Sequence, residues 1–370
     1  MAVALRLVKE RTEGTVAQFE DVVGPDRRVR WALVGTSEFA LDWIAPAIQA
    51  SPTATLTAVV SRSPTRARAA ADRLDVLLSA TALAELDREQ VDAVHIVTPN
   101  TLHAPLAIEA AERGFHVVVE KPMATSTGEA RAMMAAAERS GVTLHVGHCM
   151  AWAPPVETAV ALIGQGRIGR PLLARFAASF DSPPAGTWRQ DETTERGGGP
   201  LLDLGAHSVD ALLRMMGPAS AVVGRLDRTK YAYAAEDTAS LLIRLASGAH
   251  AVVQTTFTCA ENEFVVVGED GRLSSTDWLG REFAGNLSVR DTDAGISRFD
   301  ADKEVAGEQA LDLVPTNVYR PMVDEVSGSI LDGTPSRISG ARGFETLALL
   351  EAGVRSARSG SWVAIEALDQ

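Results

Sequence analysis

Five short apolar runs, separated by stretches of helical periodicity, limit what the first half of this chain can fold into. They are Val29–Val34, Thr55–Val60, Ala93–Val97, His116–Val119 and Thr143–Val146. Continuous β-branched runs of this length fit strands buried on both faces, and intervening helices imply parallel pairing. The run Ala93–Val97 empties into Thr98-Pro99-Asn100. Leu106, Ala107, Ala110 and Ala111 then recur at helical spacing, and Gly114 stops the helix. The run at His116–Val119 delivers Glu120 and Lys121 together at its carboxyl end, with Pro122 behind them. Ligands of open parallel sheets sit off the carboxyl ends of the strands. Two adjacent ionisable residues there mark the centre of a site.

The first run leads into Gly35-Thr36-Ser37-Glu38-Phe39-Ala40 and then a helical pattern through Ile44, Ala47 and Ile48. Strand, tight turn and helix is the context that a dinucleotide fingerprint requires. The glycine permits the turn, and the helix start offers free N–H groups to a pyrophosphate. Ser37 and Ala40 stand where further glycines are usual, which keeps the backbone approach close. After the second strand come Ser61-Arg62-Ser63, with no acidic residue between Leu56 and Arg68. An acidic residue there holds the ribose hydroxyls, whereas Arg accommodates a 2′-phosphate. The pattern therefore favours NADP over NAD. Ser126-Thr-Gly-Glu129 is a capping box that opens a helix ending at Gly141, and a helix is also expected over Ala82–Leu86.

Residues 1–28 precede the first strand as an extension of mixed charge, and residues 29–149 form the parallel, doubly wound α/β domain. From residue 150 onwards the pattern changes. β-rich runs follow one another at Leu172–Phe180, Ala221–Leu226, Thr238–Leu245, Ala249–Thr258 and Phe264–Val267, with Glu269-Asp270-Gly271 as a hairpin signal. Strands without helices between them imply an open, mainly antiparallel sheet, so residues 150–370 form an α+β domain. Helices are expected at Val156–Ile163, Asp203–Met216, Val318–Leu331 and Phe344–Ser359. The outer face of that sheet is a plausible surface for a homodimer or homotetramer. The net charge of −13 argues against nucleic acid or an anionic membrane as partner. Two cysteines, Cys149 and Cys259, exclude a disulfide scaffold and agree with a cytoplasmic protein. His148 and Cys149 lack a second ligand cluster, so no metal is expected. His95 and His116 lie inside apolar strands and read as core histidines.

Three motifs carry a resemblance: Val-Thr-Pro-Asn-Thr-Leu-His at 97–103, Glu120-Lys121-Pro122, and Gly197-Gly-Gly-Pro-Leu-Leu-Asp203-Leu-Gly-Ala-His207. Trp188-Arg189 ahead of the glycines and Ser359-Gly-Ser-Trp-Val363 fit as well. The chain resembles the Gfo/Idh/MocA pyridine-nucleotide oxidoreductases over about residues 29–366. The resemblance implies a Rossmann domain followed by an open sheet, with substrate between them. It places Thr98, Pro99, Asn100 and His103 along the dinucleotide, Glu120 near the nicotinamide ribose, and Lys121 as the catalytic lysine. Asp203 and His207 become the polar pair on the substrate side. Met150-Ala-Trp152 departs from the Arg-aromatic pair common after the sixth strand.

Transfer of hydride from a carbinol carbon requires a group that removes the hydroxyl proton. Asp203 and His207, four apart, share one side of a helix, and an imidazole exchanges protons near neutrality. Lys121 and His207 are therefore assigned jointly to proton transfer, with Asp203 orienting. Trp188, Arg189, Tyr319 and Arg175 are candidates for lining the substrate cleft. The expected activity is oxidoreduction of a sugar, polyol or inositol-like alcohol. Two rivals remain: a hydrolase or lyase of the same fold that oxidises its sugar transiently with bound NAD, and a non-catalytic NAD(P)-dependent sensor.

Overall fold

The computed structural model describes residues 27–280, 282–283, 285–291 and 307–368; the extension expected at 1–28 lies outside them up to residue 26. The first sheet has six parallel strands in the order β3-β2-β1-β4-β5-β6: β1 (Val29–Val34), β2 (Ala54–Val60), β3 (Leu78–Ala80), β4 (Ala93–Ile96), β5 (His116–Val119) and β6 (Leu144–Val146). The short strand β3 has no signature of its own in the sequence. The helix expected over Ala82–Leu86 is a single 3₁₀ turn, Leu83–Glu85.

Alternation along β1 explains how both faces of the sheet are covered. Val29, Trp31 and Leu33 join a core with α1 (Ala45–Ala50), reached through a π-type turn Ala40–Ile44, and with α2 (Pro64–Leu74). Ala32 and Val34 point the other way, into a core shared with α3 (His103–Glu112) and α4 (Thr127–Arg139). Ser126 accepts from the Glu129 N–H and caps α4, as its sequence suggests.

The second half begins with α5 (Pro154–Gly164) and β7 (Pro171–Ser179). Three helices then cross over: α6 (Trp188–Asp191), α7 (Gly199–Asp203) and α8 (Gly205–Met216). The strands that follow are β8 (Ala219–Asp227), β9 (Thr238–Leu245), β10 (His250–Thr256), β11 (Asn262–Gly268), β12 (Gly271–Ser275), β13 (Glu282–Phe283), β14 (Leu287–Asp291), β15 (Gln309–Leu311) and β16 (Thr316–Asn317). α9 (Tyr319–Asp332), α10 (Gly340–Ser359) and β17 (Val363–Ala364) complete the order. Nine of these strands form one sheet, ordered β15-β14-β12-β11-β7-β10-β9-β8-β17. The sheet is mixed: β7 inserts between β11 and β10 and runs parallel to β10, because the crossover through α6–α8 returns it in the same sense.

Two helices late in the chain return to the first sheet. Trp31 Nε1 donates to Ser327 Oγ of α9 at 3.2 Å. Phe344, Leu347 and Ala348 of α10 complete the core over α3 and α4. Among the described residues no helix is long and apolar enough to cross a membrane.

Candidate active site

A cleft of about 1300 Å³ runs from the carboxyl ends of β1, β2 and β4 to the crossover helices of the second half. At one end the turn after β1 is shaped by Gly35, whose φ is +116°. A Cβ there would lie 2.3 Å from the Val97 carbonyl oxygen, so only glycine lets β1 and β4 close up. Ser37 Oγ accepts from the Ala40 N–H at 3.2 Å, which orders the helix start. Thr36, Phe39, Ser61 and Arg62 line the same end. Arg66, not foreseen from the sequence, joins them and donates to the Thr36 carbonyl at 3.1 Å. It lies one turn beyond Ser63, whose hydroxyl caps α2.

The middle of the cleft is bounded by Thr98, Pro99, Asn100, His103 and Glu120. His103 is fully buried, with Nδ1 2.9 Å from the Pro122 carbonyl and Nε2 3.0 Å from the Thr98 carbonyl. It ties the loop after β4 to the cis Lys121–Pro122 bond after β5. Asn100 Nδ2 donates to the Gly197 carbonyl at 3.0 Å and joins the two halves of the protein. A Cβ at Gly197 would sit 2.6 Å from that nitrogen. Glu120 is buried, and its Oε1 lies 3.2 Å from His95 Nε2. His95, a core histidine by its strand, thus backs a residue of the cleft.

Lys121 reaches across the cleft. Its Nζ donates to Asp203 Oδ1 at 2.7 Å and to the Asp203 carbonyl at 2.9 Å. The second bond alters the helix expected over Asp203–Met216. In an unbroken helix the Asp203 carbonyl would accept from the His207 N–H. Lys121 takes that carbonyl instead, and the His207 N–H turns to Leu204 O at 3.1 Å. The helix therefore divides at Leu204 into α7 and α8, with Asp203 ending one and His207 in the first turn of the next. Both side chains still face the cleft.

The electrostatics follow from burial and neighbours. Burial opposes ionisation of Asp203, but the Lys121 and Arg189 cations outweigh it and hold the carboxyl well below its usual range. Arg189 Nε lies 3.3 Å from Asp203 Oδ2, and its guanidinium stacks on Trp188, 4.7 Å from the ring centroid. Burial, reinforced by Lys121, holds the His207 imidazole well below its ordinary pKa, so it is neutral at pH 7. Its Nδ1 is buried with no hydrogen-bond partner among the described residues, which leaves Nε2 for the cleft. Burial pushes the Cys149 thiol up to about 12, so this cleft residue is an inert thiol.

Trp188, Arg189 and Tyr319 lie in the cleft. Tyr319 packs edge-on against Phe39, with centroids 5.6 Å apart, at the turn after β1. Arg175 requires correction. Ala174, Phe176 and Ala178 of β7 point inward, so period-two alternation turns Arg175 to the exposed face, where it pairs with Glu263. Phe180, Phe257, Asn262 and Leu279 line the cleft without a sequence signal, each a lone residue at a strand end or in a loop.

The cleft fits a dinucleotide along the first sheet: a glycine turn, a helix start and two arginines lie at one end, and an ionised cluster at the other. Comparison with known proteins agrees. Residues 29–148 match the oxidoreductase family with an NAD-binding Rossmann fold, and residues 156–274 match the GFO/IDH/MocA C-terminal domain. The chain is 32% identical over 343 residues to 1,5-anhydro-D-fructose reductase of Ensifer adhaerens, covering 91% of this chain and 98% of the relative. It is 28% identical to D-xylose 1-dehydrogenase (NADP(+)) 2 of Haloferax volcanii, over 91% of this chain and 99% of the relative. Aldose-aldose oxidoreductase from Caulobacter crescentus has the same fold, with a TM-score of 0.82 at 24% identity, covering 92% of this chain and 100% of that one. With both halves matched and the ionised cluster sitting where they meet, this chain belongs to the GFO/IDH/MocA family of oxidoreductases, with an NAD(P)-binding Rossmann domain.

Proposed function

We propose that the protein interconverts a secondary alcohol and a ketone, or a lactol and a lactone, on a sugar, polyol or inositol-like substrate. The observation that carries this reading is the Lys121–Asp203 pair at 2.7 Å, set beside the neutral His207 in one cleft. The nicotinamide cofactor, when bound, supplies the hydride acceptor or donor. Gly35, Thr36, Ser37 and Phe39 would hold its pyrophosphate end, the loop Thr98–Asn100 its middle, and Glu120 its nicotinamide ribose. Arg62, with Arg66 beside it, supports NADP as the favoured form, because no carboxylate lies between Leu56 and Arg68 to bind free ribose hydroxyls.

The chain's own groups divide the proton work. Lys121 donates a hydrogen bond to the substrate oxygen and stabilises negative charge as it develops. His207 Nε2 accepts the hydroxyl proton in oxidation and returns it in reduction. Asp203, ionised between two cations, fixes the Lys121 ammonium and orients the substrate. Trp188 offers an apolar face for a sugar ring. The named relatives act on sugars, which supports the substrate class. Leu173 and Leu242 remain exposed on the open sheet face, which supports its covering by a second copy of the chain.

The test is a panel of sugars, inositols and their keto forms, each offered with NADP(H) and NAD(H) while the absorbance of the reduced nicotinamide is followed. Turnover of at least one member is expected. Tightly held cofactor that co-purifies and never exchanges during turnover would sink bulk redox chemistry in favour of transient oxidation.

A further inference from the structure

Behind His207 lies a group of buried polar side chains that the proton chemistry above leaves unused. His148 follows β6 and precedes the 3₁₀ turn Cys149–Trp152, which packs on α8. It is 1% exposed, and neither ring nitrogen has a hydrogen-bond partner among the described residues. Asp210 is three residues after His207 on α8, so both face the same side. Asp210 is also 1% exposed. Its Oδ2 accepts from Arg214 Nε at 2.7 Å, while Oδ1 has no partner among the described residues. With His207 Nδ1, four buried polar atoms on three neighbouring side chains are unsatisfied by protein. Such atoms are costly to bury alone and are met by internal water, which requires two to four polar partners.

We propose that His148, with internal water, links His207 to the Asp210 carboxylate and acts as a positioning residue that fixes the tautomer of His207. An anion at one end gives the row a direction. Asp210 carries no proton, so the donors point towards it: His207 Nδ1–H to water, water to His148, and the N–H of His148 onward to Asp210 Oδ1. This arrangement holds the proton on Nδ1 and leaves the Nε2 lone pair facing the cleft, as proton acceptance from an alcohol demands. Arg214 anchors the far end by donating to the Arg337 carbonyl at 3.0 Å. The charged and titratable groups around the row are Lys121 and Asp203 at His207; Glu120, Lys121 and Arg214 at His148; and Arg214 and Arg342 at Asp210. Asp210 stays ionised because its cationic neighbours outweigh burial.

The kinetic arm of the test rests on the proposed oxidoreductase reading; the spectroscopic arm does not. The full chain, labelled with ¹⁵N-histidine and saturated with NADP⁺, is examined by long-range ¹H–¹⁵N NMR, with the signal of His207 assigned by its loss in His207→Ala. Wild type should carry its proton on Nδ1, His148→Phe should lose that preference, and His148→Gln, which keeps a donor and an acceptor, should retain it. A wild-type proton on Nε2, or an unchanged tautomer in His148→Phe, overturns the proposal. With whichever panel sugar turns over, His148→Phe should lower kcat about tenfold or more. It should leave KM for cofactor unchanged and move the acid limb of kcat/KM to lower pH, since the imidazolium loses its link to an anion. A fall in kcat with an unmoved limb would mean a structural role only. If His148→Phe does not fold, the wild-type and His148→Gln spectra decide. If His207→Ala turns over like wild type, the proton-transfer role of His207 fails; if no panel member turns over, the oxidoreductase reading fails; and in either case the tautomer judges the relay.

Discussion

The two ends of the cleft are built from different materials. At the end formed by β1 and β2 the backbone does the shaping: Gly35 lets two strands close, Ser37 orders a helix start, and arginines wait in solvent at the rim. At the other end, side chains act through charge: buried Asp203 with half-buried Lys121 and Arg189 within hydrogen-bonding or ion-pairing reach, and His207 held neutral beside them. A surface shaped by backbone suits binding of a common handle, while a charge cluster suits the chemistry proposed for it. Substitutions at the first end should therefore change affinity and stability, and those at the second should change turnover.

The sharpest way to break that division is at the cluster. Lys121→Ala and His207→Ala should each lower kcat by about 10²–10⁴-fold, while fluorescence titration finds cofactor affinity near wild type. Equal losses in affinity would erase the contrast. Gly35→Ala should act in the opposite sense. Its Cβ meets the Val97 carbonyl in a backbone conformation unfavourable to alanine, so a loss of about 3 kcal/mol in unfolding free energy is expected, with weakened cofactor binding.

Acid stability separates the core from both ends. Burial lowers the His145 pKa to about 4, so it is neutral when folded and binds a proton when unfolded below about 6.5. Stability is lost as pH falls through that window, by about 3 kcal/mol at most. His145→Leu should flatten the slope measured by denaturant unfolding. The difference between variant and wild type isolates this group from Glu236, whose carboxyl burial pushes up to about 7, giving the opposite slope. Smaller still, Arg62→Ala should weaken NADPH binding about tenfold and leave NADH alone; equal effects on both would assign Arg62 to the adenine. Arg175→Ala, on the far side of its strand, should leave turnover within about twofold of wild type.

The sheet was legible because its strands are buried on both faces and read as apolar runs. β3 escaped notice because Leu78–Ala80 is too short to show periodicity. Lys121, Asp203 and His207 stood out as ionisable residues beside a proline and a glycine run, where neither core packing nor solvation explains them. The break at Leu204 was invisible in the sequence, since it depends on an ammonium arriving from more than eighty residues away. The same limit applies to Phe180, Phe257 and Leu279, which are apolar residues like any other until the fold turns them towards the cleft. Arg175 failed for a plainer reason: alternation along a strand says that neighbours face opposite ways, and only the tertiary structure says which face is useful.

The placement of α10 bears on how the molecule is made. Phe344, Leu347 and Ala348 complete, beside α3 and α4, the cover of one face of a sheet whose first strand is synthesised some three hundred residues earlier. During translation that part of the face must wait, exposed or chaperoned, until some three hundred further residues have left the ribosome. Engineers who graft the nucleotide-binding half onto another scaffold would need to carry this distant helix along with it.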